Sequence, residues 1–213
     1  MARETIILVH GLWMTGLEMS LLRRHFQNQG YAVHRFSYHM VRRSLATNCQ
    51  LLRDFIARHA GETTHVVAHS LGGVLALHTL RHYPELPVER VVCLGSPLVG
   101  SEAGRRILRY KPGRTIIGKT LPEGIFEYPL REWQGTQQVG VIAGTRWGVG
   151  FGLVLGHLPR PNDGLIAVAE TCLPGIQDHL ELPVSHNGML LSRQTADQSH
   201  CFLQHGSFRR ASS

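Results

Sequence analysis

The stretch His65-Val66-Val67-Ala68-His69-Ser70-Leu71-Gly72-Gly73 decides how this chain folds. A short apolar run of strand character ends at Ser70, and the helical pattern of residues 74–82 begins almost at once. A strand can turn into a helix that abruptly only through a strained residue, and the residues two before and two after it must be small enough for strand and helix to approach. Ala68 and Gly72 meet that demand, and Gly73 allows close helix–strand packing. The side chain of Ser70 is then held up at the C-terminal edge of a sheet, where open α/β sheets bind their ligands.

Outward from this turn, short β-branched runs alternate with helical patterns. Thr5–Val9 is a near-continuous apolar strand of the kind buried on both faces. A helix over 18–29, closed by Gly30, leads to a strand over 31–36, and a helix over 44–59, stopped by Gly61, leads to the strand at 65–68. Further strands are expected at 90–94, 139–143 and 179–184, with helices at 166–170 and 195–204. This alternation predicts an α/β fold with a mainly parallel sheet of about six strands and helices on both faces. The length of 213 residues fits one domain, 1–213. From about Leu98 to Gln138 the rhythm breaks, with apolar positions such as Ile125, Phe126 and Trp133 that look exposed. An insert of this kind reads either as a lid or binding loop or as a segment packed over the sheet edge.

Composition narrows the function classes. Hydrophobic residues make up 43% and charged residues 17%, which excludes general disorder. The net charge is +7, carried almost wholly by arginine, with Lys111 and Lys119 the only lysines. The arginines form no long basic run and aromatics are only 7%, so no nucleic-acid partner is expected. The opening apolar run is too short for a signal-peptide core, and no stretch reaches the roughly 18 apolar residues of a spanning helix. The expected compartment is cytoplasmic. Cys49, Cys93, Cys172 and Cys201 have irregular spacing and no CxxC, which points to free thiols and to no metal site.

A serine hydroxyl is a weak nucleophile near neutral pH and needs a base, which needs an orienting acid. On a fold of this kind the chain order is serine, acid, histidine. Asp163, Asp178 and Asp197 are the aspartates after Ser70. Asp163 lies in a loop after the fifth strand, and His186 in a loop after the last strand, so both converge on the edge that carries Ser70. Asp178 and Glu170 are the rival acids, and His157, His179, His200 and His205 also follow Ser70. Acyl transfer also needs donors aimed at the developing oxyanion. The backbone N–H of Leu71 comes with the turn, and that of Leu12 comes with His10-Gly11-Leu12-Trp13 after the first strand. Trp13 and Met14 would line an acyl pocket, or belong to the core. His69 reads as a packing or hydrogen-bonding neighbour.

These residues resemble those of the α/β-hydrolases of the small lipase/esterase type. His10-Gly11-Leu12-Trp13 resembles their oxyanion loop, and Ala68-His69-Ser70-Leu71-Gly72-Gly73 their nucleophile turn, with Ala68 where glycine is usual. Asn162-Asp163-Gly164 and Ser185-His186-Asn187 match the acid and histidine loops in order. The resemblance implies an α/β-hydrolase fold with the leading antiparallel strands trimmed, and a serine esterase working through Ser70, Asp163 and His186 without metal or organic cofactor. The expected partner is a small acyl-ester substrate, with transient contact to a lipid surface as a further expectation. The same residues would serve an acyl thioesterase or acyltransferase. A non-catalytic protein that binds an acyl ligand or a membrane surface is the reading from a different class.

Overall fold

The structure, a computed structural model, describes residues 4–109, 112–147 and 158–210. Its strands are β1 (Thr5–Val9), β2 (Ala32–Phe36), β3 (Thr64–His69), β4 (Val88–Leu94), β5 (Gln138–Gly144) and β6 (Asp178–Leu182). The helices, in chain order, are α1 (Ser20–Asn28), α2 (Leu45–His59), α3 (Leu71–His82), α4 (Glu102–Leu108), α5 (Gly113–Ile117), α6 (Thr120–Pro122), α7 (Val168–Thr171) and α8 (Arg193–His205). The six strands form one wholly parallel sheet in the order β2-β1-β3-β4-β5-β6.

Both faces of the sheet are covered, which is why its strands read as continuous apolar runs. Because side chains alternate along a strand, Ile7, Val9, Val66, Ala68, Val91 and Val141 pack in one layer with α2 and α3. Ile6, Leu8, Val67, Val92, Leu94 and Ile142 pack in the other layer with Phe26 of α1 and Phe202 of α8. The chain steps from β1 outward to β2, then crosses back to β3 on the other side of β1. That reversal opens a crevice between the C-terminal ends of β1 and β3, where loop 10–13 and Ser70 lie side by side.

Element ends differ from the sequence expectation in two instructive places. The first helix begins with a 3₁₀ turn at Leu17–Met19 before α1 proper. Helix α3 begins at Leu71 rather than Val74, because the turn at Ser70 is completed within one residue.

The segment between β4 and β5 corrects the expectation of exposed apolar positions. Ile125 and Trp133 are buried and Phe126 is half-buried beneath the Arg105 guanidinium. Leu98, Ile117, Leu121, Ile125, Leu130 and Trp133 join the same core layer as α2 and α3. Polar contacts hold the segment there. The Asn48 amide donates to Thr120 Oγ1 (2.9 Å), His78 Nε2 donates to the Gly124 carbonyl (3.0 Å), and Trp133 Nε1 donates to the Gln137 carbonyl (2.9 Å). Without a repeating period, a sequence cannot show which face of such a segment turns inward.

Burial also sets the charge of several histidines. The pKa of His65 is pushed down to about 4, that of His78 to about 4 and that of His69 to about 3, each chiefly by loss of hydration. Below pH 6.5 the unfolded chain binds protons at these sites while the folded chain does not, so stability falls as pH drops from 6.5 toward 4. Each such histidine is expected to remove about 1.4 kcal/mol of stability per pH unit in that window. Chemical denaturation near pH 7 and near pH 5 checks this, and equal stability at the two would contradict it.

Candidate active site

Ser70 has φ +54° and ψ −126°, a left-handed backbone that no ordinary strand or helix residue adopts. Its N–H is tied to the Leu94 carbonyl at 2.8 Å. The turn closes because Gly72 has no side chain: a Cβ there would lie 2.5 Å from the Val9 carbonyl oxygen and 2.6 Å from that of His10. A Cβ on Gly73 would sit 2.2 Å from Ser96 Oγ. The small residues of the sequence motif are thus the space into which the end of β1 and the start of β4's loop fit.

The turn delivers the serine hydroxyl to His186. Ser70 Oγ lies 3.0 Å from His186 Nε2, and His186 Nδ1 lies 2.7 Å from Asp163 Oδ2. A carboxylate only accepts, so Nδ1 carries the proton and Nε2 presents its lone pair to the serine hydroxyl. All three side chains are buried.

Asp163 is fixed by the loop that holds it. Its Oδ1 accepts the N–H groups of Leu165 (2.9 Å) and Ile166 (2.7 Å), leaving Oδ2 for the imidazole. The His186 N–H donates to the Asp163 carbonyl (2.9 Å), which joins the two loops through the main chain. Beneath the pair lies Gly95, at φ +56°. A Cβ there would fall 3.1 Å from Asp163 Oδ2 and 3.2 Å from His186 Nδ1.

The loop after β1 flanks Ser70. A Cβ on Gly11 would lie 2.9 Å from Ser70 Cβ, so this loop passes the serine in direct contact. The N–H of Leu71 belongs to the first turn of α3, where no earlier carbonyl can take it. A cavity of about 320 Å³ opens over Ser70 and His186. Its walls are largely apolar and come from Leu12, Trp13 and Met14 on one side and from Ala103, Ile107 and Leu121 of the segment after β4 on the other. Trp13 is half-exposed at the cavity, with its Nε1–H on the Ile116 carbonyl (2.9 Å).

Other candidates fall elsewhere. Asp178 opens β6 at the opposite edge of the sheet, where the Arg210 guanidinium and the Phe208 N–H bond it. Glu170 is a brace rather than a partner of His186: its carboxylate accepts the N–H groups of Ala167 and Glu102 and so ties the Asp163 loop to α4. Burial raises the pKa of Glu170. His179 lies on β6 against Thr171, while His200 and His205 lie on α8. His157, with the rest of residues 148–157, lies outside the described residues. His69, read from the sequence as a packing or hydrogen-bonding neighbour, donates its Nε2–H to the His186 carbonyl at 3.0 Å, and its ring lies 4.7 Å from that of His186. Among the described residues no three His, Cys, Asp or Glu side chains are grouped to hold a metal ion, none of the cysteines is paired, and no helix is long and apolar enough to cross a membrane.

The sequence profile of the alpha/beta hydrolase family matches residues 6–202. The chain therefore belongs to the alpha/beta hydrolase family. Among solved structures it is similar to a metagenomic carboxyl esterase, MGS0156, at 21% identity and a TM-score of 0.68, covering 85% of this chain and 64% of that one. It is similar also to the Bacillus licheniformis lipase BlEst2 in its propeptide form, at 17% identity and a TM-score of 0.77, covering 99% and 52%. The Vlm2 thioesterase domain matches at 15% identity and a TM-score of 0.59, covering 96% and 94%. The chain thus spans about half to two thirds of the length of the first two. No curated protein sequence is significantly similar to it.

Gly72→Ala tests the packing under Ser70. Its methyl group would meet two backbone carbonyls that cannot move without disturbing β1. The substitution is expected to destabilise the protein by about 2 kcal/mol or more. A denaturation midpoint equal to that of the unmodified protein would contradict this packing.

Proposed function

We propose that the protein is a serine hydrolase that cleaves carboxylic esters through an acyl-enzyme on Ser70. The observation that carries this reading is the continuous relay from Ser70 Oγ through His186 to Asp163, at 3.0 and 2.7 Å, with the serine raised on a strained turn at the floor of an apolar cavity. Family membership and the esterase and lipase neighbours support it.

In this mechanism His186 Nε2 takes the proton from Ser70 as Oγ attacks the ester carbonyl carbon. The carbonyl π pair moves to oxygen, where the N–H groups of Leu71 and Leu12 stabilise the oxyanion. Asp163 stabilises the imidazolium without taking its proton. The tetrahedral adduct collapses, the ester C–O bond breaks, and His186 hands its proton to the departing alcohol. Water, deprotonated by the same imidazole, then attacks the acyl-enzyme; the acid leaves and the proton returns to Ser70. Trp13 and Met14 border the acyl end of the cavity in this reading. A thioester would follow the same steps with a thiol leaving, and one similar structure is called a thioesterase domain.

Rates on p-nitrophenyl esters from acetyl to palmitoyl test the proposal. Ser70→Ala is expected to lower turnover by about four to six orders of magnitude. Asp163→Asn, which leaves the imidazole without its orienting acceptor, is expected to cost about four orders. A fluorophosphonate should label Ser70 in the unmodified protein and not in Ser70→Ala. The acyl length at which the rate peaks measures the acyl end of the cavity. Slow turnover indifferent to Ser70→Ala, with no labelling, would overturn the hydrolase and favour an acyl-binding protein. Turnover confined to acyl thioesters would move the reaction to the thioesterase.

A further inference from the structure

Glu170, in α7, grips the main chain of two separate segments with one carboxylate. Its Oε2 accepts the N–H of Ala167 (2.8 Å), the residue just before α7, and its Oε1 accepts the N–H of Glu102, the first residue of α4. Its main-chain carbonyl accepts the Val99 N–H at 3.0 Å. Both donors to the carboxylate stand at helix starts, where no earlier carbonyl of the same helix can take them. Glu170 is half-buried, and burying a carboxylate is costly unless hydrogen bonds replace its water. The two N–H groups supply that replacement, so the carboxylate and both helix starts are held as one unit. The Glu102 side chain turns instead to Arg106 Nε (2.9 Å), so its main chain alone enters the tie.

What the two segments carry gives the tie its consequence. On one side is the turn that holds Asp163, whose N–H donates to the Ile166 carbonyl (3.1 Å) and whose Oδ1 accepts from Leu165 and Ile166. On the other side is α4, whose Ala103, Gly104 and Ile107 line the cavity over Ser70. An acyl chain carried on Ser70 runs between this wall and the one made by Trp13 and Met14. The start of α4 also has a local cap, since Ser101 Oγ accepts the Gly104 N–H at 3.0 Å. That cap shapes the first turn of the helix but does not fix its distance from the acid loop. The Glu170 carboxylate does.

We propose that Glu170 is a positioning residue for acyl-chain selectivity: its carboxylate docks the start of α4 on the Asp163 loop and so holds the wall of Ala103, Gly104 and Ile107 at a fixed distance from Ser70. The inference rests on the reading of Ser70 as the nucleophile of an ester hydrolase. A methylene in apolar contact favours binding by about fourfold. A wall that stands back therefore penalises long acyl chains and spares an acetyl ester, which has little chain to touch it.

The tie can be cut in the main chain. Proline has no N–H and is well tolerated as the first residue of a helix. Ser101 has φ −152° and ψ 100°, the extended backbone that a following proline requires. Glu102→Pro therefore removes the donor to Glu170. Glu102→Ala, which removes the same side chain and keeps the N–H, is its matched control. The readout is the ratio of kcat/KM on p-nitrophenyl hexanoate to that on p-nitrophenyl acetate. Glu102→Pro is expected to lower this ratio by about four- to fifteenfold, the contact of one to two methylenes, with the acetate rate within about twofold. Glu102→Ala should keep the ratio of the unmodified protein. Glu170→Ala frees the Ala167 N–H as well, so it should lower the ratio similarly and also cut kcat on both esters by about tenfold through a looser Asp163. Thermal melting establishes that each variant is folded, and if either Glu102→Pro or Glu170→Ala does not fold the other decides. The proposal is overturned if Glu102→Pro has the ratio of Glu102→Ala, or if Glu170→Ala slows both esters by one common factor. Hydrolysis by the unmodified protein that ignores Ser70→Ala overturns the underlying reading instead, and that result is visible before any Glu102 variant is made.

Discussion

The contact between Gly72 and the carbonyls of Val9 and His10 is the constraint on which the site depends. Ser70 can hold its left-handed backbone only because α3 starts immediately, and α3 can start there only because nothing projects from Gly72 toward β1. The same closeness brings loop 10–13 against the serine. One missing side chain thus sets the serine's height above the sheet and its distance from loop 10–13 and the start of α3.

The rest of the site is assembled from loops that are weak alone and are tied to one another. The His186 N–H reaches the Asp163 carbonyl, the Asp163 carboxylate takes two N–H groups of its own turn, and His69 bonds the His186 carbonyl from below. Glu170 extends these ties to α4, so the acid loop and one wall of the cavity share a carboxylate. A 1 Å error in such a relay is costly to catalysis, and the cross-links oppose it.

Much of this was legible in the sequence, and the parts that were not share a cause. Strands covered on both faces announce themselves as apolar runs, so Thr5–Val9 has the same bounds in the sequence and the structure. Ser70, Asp163 and His186 were readable because each follows the end of a strand in the expected order, and the structure brings them within hydrogen-bond distance. Ile125 and Trp133 misled because a segment without period hides which face is inward. The contacts of His10 and His69 were illegible for another reason. What a histidine does depends on which ring nitrogen meets which carbonyl, and no spacing of residues encodes that.

The buried imidazoles around Ser70 have a consequence for how protons travel. His10 has its only proton committed to a carbonyl through Nδ1, and His69 has its own committed to another through Nε2. Burial makes a second proton on either costly, with the pKa of His69 held at about 3. The chain carries fourteen histidines. Of the imidazoles of His10, His69 and His186, only that of His186 turns a bare nitrogen to the Ser70 hydroxyl. In the proposed reaction, proton transfer between serine, substrate and water therefore runs through His186, with the imidazoles of His10 and His69 insulated from it.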